Sequence, residues 1–571
     1  MKKTATLRNG DLIRSIFRRI LLPALAAGAS ANLSGIIDGI IVGNSIGSSA
    51  LAAVNACRPA MQLYSFFSEI ITAGFASCIA LSIGRNEKKN ADRFFTVGML
   101  SALLTAVVLI AVQLLLLRPL CTLFANDATL YPLTLEYYRI ILFSTFFILV
   151  CEPIAVAMRM DGNILLSGLV LLLPHILNAI FNVLLINVFH LGLTGAAIAT
   201  VLGYFFSFLI CCYYFFFKKS YHLSGGYTRK HFTDIVSVGS PTALTMGLIS
   251  IKLFLVNSMS LSAGGPTGMA VMSLLMTAWA LQSLFIGGVK QSMMPMTSFY
   301  YGNGDYYGVR AVFRHSLRVL LGLMFLLSAL LFLFPQVLPL LYGMREAQEL
   351  ACAKTAVRIF AVHLPLEAFV VLVITYYTSI QNKKPAFLLS VLEGLGSMVL
   401  VLYPLVHFLG LNGVWLSFLV SDLISLSAIL ILSRGTSERF FRMKGNTYLK
   451  DFSVDRNRIQ ETVASVRNAV SEAGFDLLTA NKTGMAIEDM ALSAFERNLG
   501  KKIHIDVTVR KTDDQTLLVT FSDNGVEYNP LQADITDEES QLSNIAILRA
   551  ISEKMEYGRI IGMNKTDITL R

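Results

Sequence analysis

Residues Ser34 to Val54 read SGIIDGIIVGNSIGSSALAAV, an apolar stretch that carries one carboxylate, Asp38, and closes in a Gly/Ser-rich turn. An ionisable side chain at membrane depth is costly and by default marks a pathway or coupling site. The plainer reading is an acid near a helix end that reaches water. The surrounding chain decides between them.

The chain has 571 residues, 54% hydrophobic and only 15% charged, with a mean hydropathy of +0.62. A soluble domain of that size has no place to bury so much apolar surface, so the composition is that of a polytopic membrane protein. Charge is unevenly placed. Residues 435–571 hold 18 Lys+Arg and 21 Asp+Glu, net −3, whereas the preceding 434 residues hold 29 and 16, net +13. A membrane part is therefore followed by a soluble domain. The basic balance belongs to membrane loops and is no nucleic-acid footprint. All seven cysteines lie in the membrane part, scattered through apolar segments, which suits packing and not a disulfide or metal framework. The start of the chain, with Lys2, Lys3, Arg8, Arg14, Arg18 and Arg19 before LLPALAAGASA, has the look of a signal peptide. The apolar run continues to Gly43, however, long enough to span, and reads as an uncleaved first helix.

Apolar segments of spanning length recur about twelve times, near 17–44, 52–83, 93–117, 135–158, 164–189, 195–217, 232–262, 268–300, 312–335, 352–379, 386–409 and 412–432. Alternate connections carry Lys and Arg: the N-terminus, Arg85/Lys88/Lys89/Arg93, Arg159, Lys218/Lys219/Arg229/Lys230, Arg310/Arg314/Arg318, Lys383/Lys384 and Arg434. The intervening ones carry none, apart from Arg118 and Arg345. By the positive-inside rule both termini, and the soluble tail, are expected on the cytoplasmic side of a cytoplasmic (inner or plasma) membrane.

The punctuation repeats. Pro23 and Pro241, Gly47 and Gly265, Gly84 and Gly302, Gly192 and Gly410, and Gly195 and Gly413 are each 218 residues apart. Two parallel six-helix halves follow, 1–217 and 231–434, joined by a linker at 218–230 and followed by a second linker at 435–450 and a domain at 451–571. The expected fold is all-α and polytopic, with a small cytoplasmic α/β sandwich domain appended. Two lobes with a cavity between them suit a transporter; nothing resembles a channel filter loop.

Within the first half, Asn178 and Asn182 stand four residues apart in the fifth span and share a helix face, and Thr200 lies early in the sixth. With Asp38 they form a set of oxygen ligands suited to a small cation. The same residues also suit a hydrogen-bonded nest around a carboxyl that is protonated and released, or interhelical packing contacts. The second half has Val256, Leu400 and Phe418 at the equivalent positions, so cation coupling is expected in the first half alone. Glu69, Glu152, Lys252, Lys290 and Glu367 are candidate cavity charges, with Glu393 and Asp422 also falling inside spans.

The first-span pattern IIDGIIVGNSIGSSALAAVN, the loop GRNEKKNADR with its second-half partner GNGDYYGVR, and the span LNAIFNVLLI carry a resemblance. Residues 15–434 resemble the multidrug and toxic compound extrusion (MATE) family of cation-coupled exporters. The resemblance implies two six-helix bundles, a central cavity and alternating access driven by inward H⁺ or Na⁺. It assigns cation coupling to Asp38, Asn178, Asn182 and Thr200, with Asn182 standing where the family pattern often has Asp; one carboxylate fewer favours H⁺ over Na⁺.

The tail alternates as strands in KIHIDVTVR and TLLVTFSD, with helices expected near 456–474, 480–499 and 542–555 and a closing hairpin turning within 562–566. DNGVEYNP, from Asp523, resembles the D-x-G box of the histidine-kinase-like (GHKL) ATPases, of the anti-sigma-factor type. That likeness implies adenine recognition by Asp523, close approach at Gly525 and a base at Asp489. Ser493 stands where the family has its Mg²⁺-binding Asn, and Ala546 where it has a lid glycine, so no turnover is expected. Taken together, the sequence predicts an antiporter and not an enzyme, moving amphipathic or cationic small molecules against H⁺ or Na⁺. It needs no cofactor beyond the ion, and its tail is regulatory, with a nucleotide or a cytoplasmic protein as a candidate ligand. The alternatives are a flippase for a lipid-linked or polysaccharide precursor and a membrane sensor signalling through the tail.

Overall fold

The computed structural model describes residues 8–124, 130–218, 220–341, 344, 346–441, 448–512, 515–532 and 544–571. In the first half, helices run as α1 (Asp11–Ser45), α2 (Ser48–Ala56), α3 (Arg58–Gly84), α4 (Lys88–Leu115), α5 (Leu117–Phe124), α6 (Leu130–Ile141), α7 (Ser144–Met160), α8 (Ile164–Asn182) and α9 (Gly192–Phe217). The second half holds α10 (Arg229–Gly302), α11 (Tyr306–Leu333), α12 (Val337–Leu341), α13 (Ala347–Ser379), α14 (Lys383–Val391), α15 (Ser397–Leu409) and α16 (Leu411–Phe441). Among the described residues, 11 helical segments are long and apolar enough to cross a membrane. The 35-residue α1 is a further helix, about 52 Å long at 1.5 Å per residue. A membrane offers the backbone no hydrogen-bond partners, so helices are the way this chain satisfies its own N–H and C=O groups.

The repeat is visible in backbone detail. Helix α4 runs from 88 to 115 and α11 from 306 to 333, an offset of 218 at both ends; α3 ends at Gly84 and α10 at Gly302. The loops after them turn on left-handed residues at the same offset, Asn86 (φ 61°) and Gly304 (φ 67°), as do Gly192 (φ 56°) and Gly410 (φ 55°). Within α10 the chain reverses at Gly265 (φ 55°). Two spans meet there, Arg229–Gly265 and Thr267–Gly302, matching the two expected from sequence.

The two halves meet tightly at the ends of α3 and α10. A Cβ on Gly84 would stand 2.2 Å from the Phe299 carbonyl oxygen, and one on Gly302 would stand 2.3 Å from that of Leu81. Repeat-related glycines thus let the helices cross backbone to backbone on the face that carries the basic loops.

The tail is a five-stranded antiparallel sheet of order β1-β2-β3-β5-β4, with β1 (Tyr448–Val454), β2 (Ile505–Lys511), β3 (Leu517–Asp523), β4 (Lys554–Ile560) and β5 (Met563–Leu570). Helices α17 (Ile459–Glu472), α18 (Leu477–Arg497) and α19 (Asn544–Ile551) accompany it. Val466, Ile487, Met490, Val507, Val519 and Ile568 belong to its buried core. Two expectations need correction. The stretch 435–450 is helical through Phe441 as the end of α16. The domain opens earlier than 451, with β1, whose charged edge sequence YLKDFSV hides its strand character. The final hairpin reverses at Ile561 (φ 57°) and Gly562 (φ 71°), at the start of the window expected for it.

This domain sits against the basic face and touches both halves. On the first half, Lys565 Nζ donates to the Gly84 carbonyl (3.0 Å) and to Asn86 Oδ1 (2.9 Å), and Asn86 Nδ2 donates to Glu556 (2.8 Å) and Asp567 (2.6 Å). On the second, Arg510 donates to the Asn303 carbonyl. Arg8, ahead of α1, is buried between Asp305 (2.6 Å) and Asp506 (2.8 Å). Burial pulls the Lys565 ammonium below the usual lysine range, with Asp567 opposing. Arg8 and the tail domain therefore lie on one side of the helical part.

Replacing Gly84 or Gly302 by valine should force the crossing apart and lower the thermal unfolding midpoint in detergent, an overpacking cost of about 1–3 kcal/mol. Gly322→Ala, with no described atom within 4 Å of its added Cβ, should keep or raise the midpoint, alanine being the better helix former; equal midpoints for all three would contradict the tight crossing.

Candidate functional site

Close helix approaches assemble the set around Asp38. A Cβ on Gly168 of α8 would lie 2.9 Å from the Pro23 side chain of α1, and one on Gly203 of α9 would lie 2.6 Å from the Pro174 carbonyl oxygen of α8. Small residues at these crossings bring polar side chains of three helices into bonding range. Asn182 Nδ2 donates to Asp38 Oδ1 at 2.6 Å. The Asn178 amide is satisfied with its nitrogen donating to Asp38 Oδ1 (2.5 Å) and its oxygen accepting from Thr200 Oγ1 (2.8 Å). All four sequence-predicted residues therefore converge, and Ser34, one turn before Asp38, joins them beside Asn178 at 3.3 Å. Ser34, Asn178 and Asn182 are buried. Among the described residues Asn182 Oδ1 is buried without a hydrogen-bond partner, an acceptor open to a donor or a cation. A π-helical turn, Val183–Val188, follows Asn182 at once, the kind of irregularity that recurs at functional positions in helices.

Between the halves lies a cavity of about 420 Å³. Of the five candidate cavity charges it takes in Glu69, Lys290 and Glu367, and it adds Arg159, unforeseen as a cavity residue. Lys290 pairs with Glu69 across the lobes, and Arg159 donates to Gln291 across the same seam. Glu152 and Lys252 are outside the lining. Ser68 donates to Glu152, and Lys252 is buried with Glu393, donating to its carbonyl (3.0 Å) and facing its carboxylate (3.5 Å).

The second half keeps Val256 and Phe418 buried and Leu400 exposed where the first has its polar set. It is not without buried ionisable groups, however. His363 stands between Asp422 (2.6 Å) and Glu367 (3.2 Å), and Trp279 Nε1 donates to Glu367 (3.3 Å). The i,i+4 spacing of His363 and Glu367 was the local signal for this group; Asp422, Lys252 and Glu393 come from other helices. Among the described residues no group of three or more His, Cys, Asp and Glu is arranged to hold a metal.

In the tail, Asp523 Oδ1 accepts from Gly525 N (2.8 Å) and from Asn564 Nδ2 (2.9 Å), so the carboxylate expected to meet adenine holds its own turn. Arg497 stacks over Tyr528, 3.4 Å from the ring centre, on the same loop. Asp489 is half-buried, and burial, with Glu488 beside it, pushes its carboxyl up to about 6. The expected lid falls partly on 533–543, outside the described residues. The nucleotide reading finds no support here.

Lys290→Met should strand the Glu69 carboxylate at the cavity wall and lower thermal stability by about 1–3 kcal/mol. Adding Glu69→Gln should recover part of that loss; strictly additive losses in the double variant would contradict coupling across the seam.

The MatE family model matches residues 23–184 and again 241–402, more than half the chain and in two copies at the offset seen in the backbone. No curated protein matches. A solved MOP-superfamily transporter from Pyrococcus furiosus, described by a reversed polarity of its binding pocket, is 23% identical with a TM-score of 0.70, over 75% of this chain and 96% of that one. An outward-facing multidrug resistance MATE transporter is 24% identical with a TM-score of 0.68, over 75% and 96%. A MATE protein in complex with MaD3S is 24% identical with a TM-score of 0.70, over 75% and 97%. At such identity the likeness is one of fold, and the family model leaves the tail unmatched. The double match is decisive: this chain belongs to the MatE family and is a multi-pass membrane transporter, not an enzyme.

Proposed function

We propose that the protein is a secondary active antiporter that exports amphipathic or cationic small molecules in exchange for H⁺, with the basic face toward the cytoplasm. The observation that carries this reading is the convergence of Asn182 and Asn178 on Asp38 between α1, α8 and α9. Two amide donors hold the carboxylate as an acceptor. A proton arriving there removes the charge both amides address, so the three helices gain a second arrangement, which is the bistable element that alternating access requires. Na⁺ is the second candidate ion, because the Asn182 oxygen is an open ligand; a single carboxylate makes it the weaker one. The cavity wall carries Glu69 and Glu367 against Arg159 and Lys290. That balance of signs suits polyspecific amphipathic cargo and disfavours a flippase for anionic lipid-linked precursors, which calls for a cationic wall.

The tail has a regulatory part in the same reading. Alternating access must separate α3 from α10 on the basic face to load cargo from that side. The tail holds the Gly84–Asn86 and Asn303–Asp305 loops together through Lys565, Arg510 and Arg8. Docked, it resists opening; released, it permits it.

Proteoliposomes with an imposed pH gradient should accumulate a cationic dye with the wild type and lose gradient dependence with Asp38→Asn, while gradient-free dye exchange persists. Undiminished gradient-driven transport in Asp38→Asn would remove the coupling role. In the same assay a chain ending at Phe441 should transport faster than the full chain; an equal or slower rate would contradict the clasp.

A further inference from the structure

The basic face holds one more feature, outside the coupling set and beside the anchor of the tail. At the head of α11, Arg310, Arg314 and Arg318 stand four residues apart and so share one side of the helix. With Arg14 of α1 they line a cavity of about 170 Å³, whose wall also includes Tyr307 and His315. Among the described residues that line it there is no Asp or Glu. His315 Nε2 is buried and has no hydrogen-bond partner among the described residues, and its ring is set edge-on to Phe17 at 4.9 Å. Arg14 is held within this wall, donating to the carbonyl of Asn9, itself a lining residue (2.7 Å), and pairing with the partly exposed Asp11 beyond it (3.3 Å).

Arginines on this face follow from membrane topology alone. Topology does not explain why four of them share one cavity whose described lining holds no acid and whose imidazole nitrogen meets no partner among the described residues. Two like charges 4 Å apart repel by about 1 kcal/mol in water and by more near protein, so such a wall favours an anion inside it. Guanidinium groups meet phosphate oxygens with paired N–H donors, which makes phosphate the natural occupant. The cavity falls below the ~300–1,000 Å³ of sites for drug-sized ligands, room for a single phosphate group and not for a nucleotide. Farther along α11 the outward surface becomes apolar, with Phe325, Leu326, Leu330 and Leu333 exposed. A phosphate held at the arginines would therefore have an acyl-chain path directly beside it.

We infer that this cavity binds a phosphate group, supplied by an anionic phospholipid of the leaflet on the basic face. It shares residues with the anchor of the tail: Asn9 N donates to Ser453 Oγ (3.0 Å), and Tyr307 Oη donates to the Arg8 carbonyl (2.6 Å). Occupancy and tail docking then stabilise one another, a consequence that rests on the clasp described above, whereas the site itself does not.

The test uses the full-length protein in detergent, titrated with phosphatidylglycerol, phosphatidylcholine or inorganic phosphate, reading the thermal midpoint and, by native mass spectrometry, retained lipid. Phosphatidylglycerol should raise the midpoint and be retained, and phosphatidylcholine should do neither. Arg314→Gln and Arg318→Gln should each weaken the effect by roughly five-fold. The paired Arg→Lys variant should keep part of it, separating lost binding from lost folding, and Lys384→Gln on the same face should change nothing. A variant-sensitive shift with inorganic phosphate alone would keep the phosphate site and overturn its lipid source. A phosphatidylglycerol shift that survives both Arg→Gln changes, or no shift with either phosphate compound, would overturn the site.

Discussion

A carboxylate inside an apolar helix has to be met by donors, and in this protein the donors come from neighbouring helices. Asp38 of α1 is met by the amides of Asn178 and Asn182 of α8, and Asn178 in turn by Thr200 of α9. Those bonds demand close helix approaches, which the Pro23–Gly168 and Pro174–Gly203 contacts supply. The cost of leaving Asp38 unmet is what ties these three helices into one unit. In the proposed mechanism the same unit switches when the carboxylate changes state, so one constraint would account both for the packing of the first lobe and for the movement asked of it.

The two lobes share a frame and differ in chemistry. Loop turns, helix ends and the Gly84/Gly302 crossing recur at one offset. The polar set of the first lobe is replaced at the matching positions by Val256, Leu400 and Phe418. The second lobe has its own buried group around His363, built from different positions. In the proposed mechanism a duplicated backbone with unduplicated charge would let one lobe respond to an ion that the other does not bind in the same way. The family match, falling once on each half, agrees with this division.

Local spacing decided what could be read in advance. Glycines and prolines that punctuate spans are fixed in sequence, so the repeat was legible to the residue. Asn178 and Asn182 lie one turn apart, and Asp38 is conspicuous in an apolar run, so the meeting of these side chains was legible as well. Ser34, a turn before Asp38, offered the same signal and went unused. The group around His363 draws on helices far apart in the chain, and only the His363–Glu367 step is local. Strand β1 was hidden because an edge strand need not alternate cleanly when Lys450 and Asp451 fall within it. Docking of the tail had no local signal at all, because Arg8, Asp305 and Asp506 meet across almost the whole chain length.

The central claim is that ion and cargo exchange through the carboxylate of Asp38, and proton release on cargo binding tests it most directly. Purified protein in weakly buffered detergent with a pH indicator should release protons when a transported cation is added, and Asp38→Asn should bind the same cation without releasing them. Equal release from both proteins would contradict the account, as would release of radiolabelled Na⁺ in place of protons from the wild type.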